Sequence, residues 1–178
     1  MTSYLALLRG INVGGNNVIK MSDLKTVLQA TKLENVRTYI QSGNILCESA
    51  EKNSDTVGKL ITDCIETHFK QPVGVAVFSK AEWQKVIDNA PKSWGRDPEW
   101  KHNLLIMIKP YDMEQVVAGL GQLKPDIESL DPGVGVLYQS MSFKLFGRTT
   151  TGKLASSPVY KQLTIRNYNT ATKLLSVL

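Results

Sequence analysis

The sequence has few of the residues that build disulfide frameworks or metal centres. It contains two cysteines and two histidines among 178 residues. Two cysteines are too few for a disulfide framework, and neither Cys47 nor Cys64 has a metal-ligand neighbour at zinc-site spacing. We therefore expect two reduced, partly buried thiols, and we predict neither a metal nor a cofactor.

Long apolar runs and an apolar leader are also missing. No run approaches the ~20 apolar residues that a membrane-spanning helix needs, so we expect no membrane partner. The first residues hold no basic segment ahead of an apolar core, which argues against a signal peptide. Together these absences favour a cytoplasmic location.

Sequence signatures of known catalytic mechanisms are absent as well. The chain has neither G-x-S-x-G nor H-E-x-x-H, so a catalytic triad would need one of the two histidines. His68 adjoins the apolar stripe of a predicted helix, and His102 is the better candidate for a general base. A lone loop histidine is more often ordinary polar surface, so the sequence leaves open whether the protein is an enzyme.

Acidic residues are missing from the C-terminal quarter of the chain. The net charge is +5, and six of the 21 basic residues follow Asp131, the last acidic residue. Up to Asp131 the chain has the remaining 15 basic residues and all 16 acidic residues, so the whole positive excess lies after Asp131. Such a segment indicates either an anionic partner or a solvated basic face, and both readings stay open.

A loop rich in glycine and asparagine follows the first apolar run. Residues 4–8 predict a buried strand, residues 9–20 form the loop, and a helix is predicted from Ser22, its expected N-cap. Strand, glycine-rich loop and helix is the order in which main-chain amides can hold an anion. The spacing matches neither G-x-G-x-x-G nor G-x-x-x-x-G-K-[ST]. The loop is thus a candidate binding site whose ligand the pattern does not name.

The spacing of apolar residues predicts an α+β fold. After the first strand and helix come a predicted hairpin over residues 36–48, a helix over residues 57–69 and a strand over residues 73–78. This is the split βαβ, or ferredoxin-like, pattern, in which a four-stranded antiparallel sheet carries two helices on one face.

A second α+β unit is predicted to follow. The capping box at residues 79–82 opens an added helix, and the breaker-rich residues 91–98 mark the predicted domain boundary. We therefore predict a ferredoxin-like unit over residues 1–91 and a second, smaller α+β unit over residues 92–178, which includes the basic segment. The second unit repeats the strand and helix order of the first loosely.

The passage Gly147-Arg-Thr-Thr-Thr-Gly152-Lys153 matches the first part of a phosphate-binding loop. The Ser or Thr that would hold magnesium is replaced by Leu154, and Pro158 lies where the next helix should run. The pattern therefore favours a flexible basic loop, and whether it binds phosphate stays open.

A second polar cluster lies at residues 166–169, before a predicted helix capped by Asn169. We hypothesise that this cluster and the first loop come together to bind an anionic ligand. Arg9 and Arg166 would supply charge, and Gly14 and Gly15 would allow close backbone approach. The amides would come from Asn12, Asn16, Asn167 and Asn169. In the alternative interpretation, these asparagines satisfy turns and caps.

Two ligand classes fit this hypothesis: an anionic small molecule and a nucleic acid. Base stacking on a ferredoxin-like sheet needs aromatic residues on its central strands, whereas residues 5–8 and 45–47 are aliphatic. Nucleic-acid binding by the basic C-terminal quarter is therefore the alternative, as is an enzyme that acts on a phosphorylated small molecule.

Three motifs point to one family: Ala6-Leu-Leu-Arg-Gly-Ile-Asn-Val-Gly-Gly15, Tyr39-Ile-Gln-Ser-Gly-Asn44 and Arg166-Asn-Tyr-Asn-Thr170. Over nearly its whole length the chain resembles a bacterial family called domain of unknown function sixteen-ninety-seven. The resemblance implies a bacterial α+β protein with a ferredoxin-like portion, and it implies no established activity, cofactor or catalytic residue. Because the second motif is among the family's best-known segments, Ser42 and Asn44 join the predicted ligand-binding residues.

Overall fold

The computed structural model describes residues 1–13, 17–110 and 113–178. The chain divides into two compact units, Met1–Gln84 with Leu174–Leu178, and Lys85–Lys173. The division falls between Gln84 and Lys85, within a helix, and not at the breaker-rich passage that follows.

The first unit has the element order β-α-β-β-α-β. Its sheet is antiparallel with the strand order β2-β3-β1-β4, and an added helix, α3, follows it. The elements are β1 (Thr2–Leu8), α1 (Met21–Gln29), β2 (Glu34–Tyr39), β3 (Asn44–Ser49), α2 (Ser54–Phe69), β4 (Val75–Ser79) and α3 (Lys80–Asp88).

The side chains of β1 alternate between the two faces of this sheet and are buried on both. Tyr4, Ala6 and Leu8 share a core with residues of α1 and α2, as the period-two direction of strand side chains requires. Leu5 and Leu7 point to the other face, where they are also fully buried.

The second unit repeats the strand order of the first, here as β6-β7-β5-β8. Three 3-10 turns lie between β7 and β8, where the first unit has a helix: Phe146–Arg148, Thr151–Ser156 and Pro158–Gln162. The other elements are β5 (Trp100–Met107), α4 (Met113–Leu120), β6 (Glu128–Gly133), β7 (Val136–Ser142), β8 (Leu163–Asn167) and α5 (Tyr168–Val177).

The predicted α+β fold class is confirmed, with a four-stranded antiparallel sheet in each unit. The second sheet also buries both faces, because Leu105 packs with α4 in the core while Leu104 and Ile106 are fully buried on the other face. In the first sheet, the aliphatic residues 5–8 and 45–47 of the central strands are buried, which disfavours base stacking there.

Two predicted helix caps are wrong. Helix α1 begins at Met21, which is buried, so Ser22 lies inside the helix and its hydroxyl contacts Asp23 instead of the helix end. Helix α5 begins at Tyr168, and the side chain of Asn167, not of Asn169, accepts the amide of Thr170.

The predicted capping box of α3 is present and gives a stability test. Both the main-chain amide and the hydroxyl of Ser79 donate to Glu82 Oε2, at 2.7 and 2.8 Å, and the Glu82 amide donates to Ser79 Oγ at 3.3 Å. We expect Ser79→Ala to lower the free energy of unfolding by about 1 kcal/mol in urea denaturation. Ser22→Ala, which removes a hydroxyl that caps nothing, should cost less than about 0.5 kcal/mol. Equal losses would contradict a stabilising capping box.

Candidate functional site

The side chain of Asn12 holds the glycine- and asparagine-rich loop together. Its Nδ2 atom donates to Ile19 O at 2.9 Å and to Gln41 O at 3.0 Å, and its Oδ1 atom accepts the Ile19 amide at 2.9 Å. Both amide hydrogens are therefore used within the chain. Asn12 has a structural role between these segments, and its predicted ligand contact stays a prediction.

The loop also packs against the turn between β2 and β3. Gly43 has a φ of +72°, and a Cβ there would lie 2.7 Å from both Leu8 Cβ and Ile11 Cδ1. The Gly43 carbonyl accepts the Leu8 amide at 2.8 Å. Only glycine satisfies both the left-handed backbone and this close approach, so two of the three sequence motifs form one framework.

The polar residues of this turn have structural roles as well. Asn44 is fully buried, and its Nδ2 atom donates to Tyr39 O at 2.9 Å and to Ser42 Oγ at 3.1 Å. This burial favours a structural role for Asn44, and its predicted contact with a ligand stays a prediction. Ser42 is half-buried, and its ligand role stays a prediction.

The ligand roles of the other predicted residues of the first loop stay predictions. Gly14, Gly15 and Asn16 lie outside the described residues. Arg9 is half-buried, and its main-chain amide donates to Gly74 O at 2.9 Å. A ligand role for the Arg9 side chain stays a prediction.

Arg166 lies on β8, with 6% of its surface exposed. Its Nη1 atom donates to Thr164 Oγ1 at 2.9 Å and to Ile165 O at 2.8 Å. Burial lowers the pKa of its guanidinium to about 10, so the group keeps its proton at neutral pH. The prediction of a guanidinium presented to ligand does not fit this burial. Asn167 is used as a cap and Asn169 is exposed, so their contribution to a shared pocket stays a prediction.

The buried carboxylate of Glu128 organises the passage that resembles a phosphate-binding loop. It accepts the amides of Thr150 and Thr151 at 2.8 Å each, the Thr151 hydroxyl at 2.7 Å and the Lys124 amide at 3.1 Å. Consecutive main-chain amides of this kind form an anion-binding nest. An internal carboxylate already fills the nest here, so these amides are not vacant for a phosphate group.

These hydrogen bonds also set the charge state of Glu128. Burial raises the pKa of its carboxyl, but the hydrogen bonds from Thr151, Thr150 and Lys124 outweigh burial and hold the pKa below its ordinary value. A carboxylate that accepts several N–H and O–H groups is stabilised in its charged form. Glu128 is therefore ionised at neutral pH.

A cleft of about 310 Å³ lies beside this carboxylate-centred turn. Among the described residues that line it are two lysines, four hydroxyl-bearing residues and no carboxylate. These residues are Leu120, Lys124, Thr149, Thr150, Lys153, Leu154, Ser156 and Ser157. The site hypothesis drawn from the sequence missed this cleft, although one of its two lysines, Lys153, belongs to the acid-free C-terminal segment.

The side chain of His102 is engaged in hydrogen bonds, and the two cysteine thiols are buried. His102 Nε2 lies 3.0 Å from Asp97 O and must donate to that carbonyl, and Nδ1 lies 2.9 Å from Ser140 Oγ. Both ring nitrogens are therefore engaged. Cys47 and Cys64 are free thiols and buried, and burial raises the pKa of Cys47 to about 12, which disfavours its reactive thiolate.

Clusters of metal-binding side chains and membrane-spanning helices are absent from the described parts of the chain. No group of three or more His, Cys, Asp or Glu side chains could hold a metal ion there. None of the helices described above is both long and apolar enough to cross a membrane.

Comparison with known proteins places this architecture among bacterial proteins. The family model described as "Protein of unknown function (DUF1697)" matches residues 1–138. The solved structure of conserved bacterial protein SP0830 from Streptococcus pneumoniae has a TM-score of 0.87 and 32% sequence identity, covering 98% of this chain and 97% of that chain. No curated protein matches the chain.

The role of Asn12 can be tested with an isosteric change. Asn12→Asp keeps the oxygen that accepts the Ile19 amide but places a second oxygen against two carbonyls, at 2.9 and 3.0 Å. We expect a loss of about 2 kcal/mol or more in the free energy of unfolding at neutral pH. Asn53→Asp is the control, because Asn53 caps α2 as an acceptor and Asp caps equally well. Equal stability of Asn12→Asp and Asn53→Asp would contradict the structural role.

The nest formed around Glu128 predicts a dependence of stability on pH. Because the folded-state pKa is lowered, the ionised carboxyl contributes stability above its unfolded pKa of about 4.3 and loses that contribution as the pH falls below it. Glu128→Gln should lower the free energy of unfolding by about 2 kcal/mol at about pH 7, and this difference should shrink at about pH 3.5. Urea denaturation at both pH values measures it. The control is Asp126→Asn at an exposed position, which should change the free energy of unfolding little at about pH 7. A loss of stability in Glu128→Gln that does not depend on pH would contradict an ionised Glu128 at the centre of the nest.

Proposed function

The chain belongs to the family described as protein of unknown function (DUF1697), and we propose that it binds a small anionic molecule in the cleft of its second unit. The observation that carries this proposal is the lining of the cleft, where the ammonium groups of Lys124 and Lys153 are accompanied by hydroxyl groups and, among the described residues, by no carboxylate. A concave site with few convergent polar groups is the usual form of a small-molecule site.

The two lysines differ in how firmly they are placed. Lys124 Nζ donates to Arg148 O at 2.5 Å, which holds one ammonium group beside the cleft. Lys153 is exposed in the second of the three 3-10 turns, and its long, flexible side chain can reach towards a ligand. The nearby carboxylate of Glu128 accepts its four hydrogen bonds from main-chain amides and a hydroxyl group. The two ammonium groups are therefore available to an anion.

The hydroxyl groups favour a ligand that itself carries hydroxyls. Thr150 and Ser156 donate their hydroxyl hydrogens to main-chain carbonyls at 2.6 and 2.7 Å. Their oxygen lone pairs are what they can offer to a ligand. The volume of about 310 Å³ lies at the small end of ligand pockets. A phosphorylated or carboxylated metabolite with free hydroxyls fits these properties.

This proposal keeps the predicted ligand class and changes the residues that contact it. Asn12 and Asn44 shape the first unit, while the contacts come from Lys124 and Lys153. Binding is proposed without a reaction, because both ring nitrogens of His102 are engaged.

Glycerol 3-phosphate and glycerol form a matched pair of probes, since they share hydroxyl groups and differ in charge. We expect glycerol 3-phosphate, but not glycerol, to stabilise the protein in thermal unfolding. The stabilisation should be about 1.4 kcal/mol at a ligand concentration of about ten times the dissociation constant. Lys153→Gln should weaken binding about tenfold through loss of a charge-assisted contact, and Lys153→Arg should retain most of it.

Lys161→Gln is the control, because Lys161 is an exposed lysine of the same segment that does not line the cleft. An equal loss in Lys161→Gln and Lys153→Gln would indicate a general charge effect and contradict the cleft as the site. The same conclusion would follow if sulfate at equal ionic strength stabilised the protein as much as glycerol 3-phosphate.

A further inference from the structure

Two phenylalanine rings lie exposed on the second unit, next to the end of β7. Phe143 is 57% exposed and Phe146 is 40% exposed. A phenyl ring has no polar atom that gains from contact with water, so exposed rings grouped in a short segment indicate an interaction surface.

The backbone that carries these rings is fixed by hydrogen bonds. The Phe143 amide donates to Glu99 O at 3.0 Å, and the Phe146 carbonyl accepts the Thr149 amide at 3.1 Å. The Arg148 amide donates to Leu145 O at 2.8 Å. A ligand therefore meets preorganised rings and need not order a mobile loop, which reduces the entropy cost of binding.

Basic side chains are interleaved with the rings. Lys101 Nζ lies 5.3 Å from the centroid of the Phe146 ring, within cation–π distance. Lys144 lies between the two phenylalanines in sequence, and the exposed Arg148 follows them. These five residues, Lys101, Phe143, Lys144, Phe146 and Arg148, are named the aromatic–basic surface.

One carboxylate contacts this surface without cancelling its charge. Glu99 Oε1 lies 3.4 Å from Lys144 Nζ, and the two side chains are 69% and 77% exposed. Such an exposed pair is screened by water and salt and is easily exchanged for another anion. The surface therefore keeps a positive excess, as expected from a chain segment without acidic residues after Asp131.

We propose that the aromatic–basic surface binds single-stranded nucleic acid. Unpaired bases expose faces that stack on Phe143 and Phe146, while the lysines and Arg148 contact the phosphates. A duplex hides its base faces and an acidic peptide would leave the rings unused, so a single strand matches both features of the surface. This site is separate from the lysine cleft and does not depend on its ligand.

Gly147 offers a variant that tests the surface without disturbing the fold. A Cβ at Gly147 would have no atom within 4 Å, and its φ is not in the left-handed region. Gly147→Asp therefore adds a negative charge between Phe146 and Arg148 at little steric cost. The added carboxylate should repel the phosphate groups of the strand, whereas Phe143→Ala removes a ring on which a base can stack.

The test is fluorescence anisotropy with a labelled oligodeoxythymidylate of about 12 nucleotides, a length within the range that single-strand-binding surfaces cover. We expect saturable binding that weakens as salt rises from about 50 to 200 mM. Phe143→Ala should weaken it about fivefold or more, and Gly147→Asp should weaken it further. A duplex of equal length should bind more weakly than the single strand.

Two matched controls separate stacking and local charge from general effects. Val134→Ala removes an apolar side chain that is 85% exposed, and Lys59→Gln removes an exposed lysine that is paired with a carboxylate, as Lys144 is. Both should bind the oligonucleotide like wild type, whereas Lys144→Gln should bind more weakly.

The proposal is overturned if the single strand shows no saturable binding, if the duplex binds as tightly, or if Phe143→Ala and Gly147→Asp bind like wild type while melting at wild-type temperature. The stabilisation by glycerol 3-phosphate should persist in Phe143→Ala. Oligonucleotide binding and glycerol 3-phosphate binding are thus measured independently, so failure of one proposal can be distinguished from failure of the other.

Discussion

The hydrogen bonds to the Glu128 carboxylate hold together the part of the chain on which both proposed sites depend. A single buried charge accepts three main-chain amides and a hydroxyl, from Lys124, Thr150 and Thr151. Removing such a group leaves donors buried without acceptors, which costs more than the bonds contribute when made. The turns that line the cleft and carry Phe146 are therefore built around an internal anion.

This arrangement separates two uses of positive charge. The main-chain amides of the turns at Thr150 and Thr151 are consumed internally, while the ammonium groups of Lys124 and Lys153 stand at the cleft. Phosphate-binding loops use both kinds of donor for one ligand. Here the main-chain amides are used within the fold, so the loop motif alone does not identify a phosphate-binding site.

The first unit shows the same principle with uncharged groups. Asn12 and Asn44 use their amide hydrogens on main-chain carbonyls, and Gly43 allows the chain to pass close to Leu8 and Ile11. Glycine and asparagine have the same properties in a binding loop and in a tightly packed turn, namely tolerance of positive φ and short polar side chains. Residue type therefore marked where the chain turns sharply, and it did not distinguish a ligand contact from an internal one.

The sequence by itself determined the α+β class, the strand and helix order of the first unit and the basic character of the final segment. These properties follow from periodicity, capping chemistry and composition, which act over short stretches of chain. Only the tertiary structure decided that Arg166 is buried, that Glu128 fills the nest and that Lys124 lies at the cleft beside Lys153. Each of these properties depends on contacts between residues that are distant in sequence. Strand pairing and packing determine those contacts, and the local sequence pattern does not predict them.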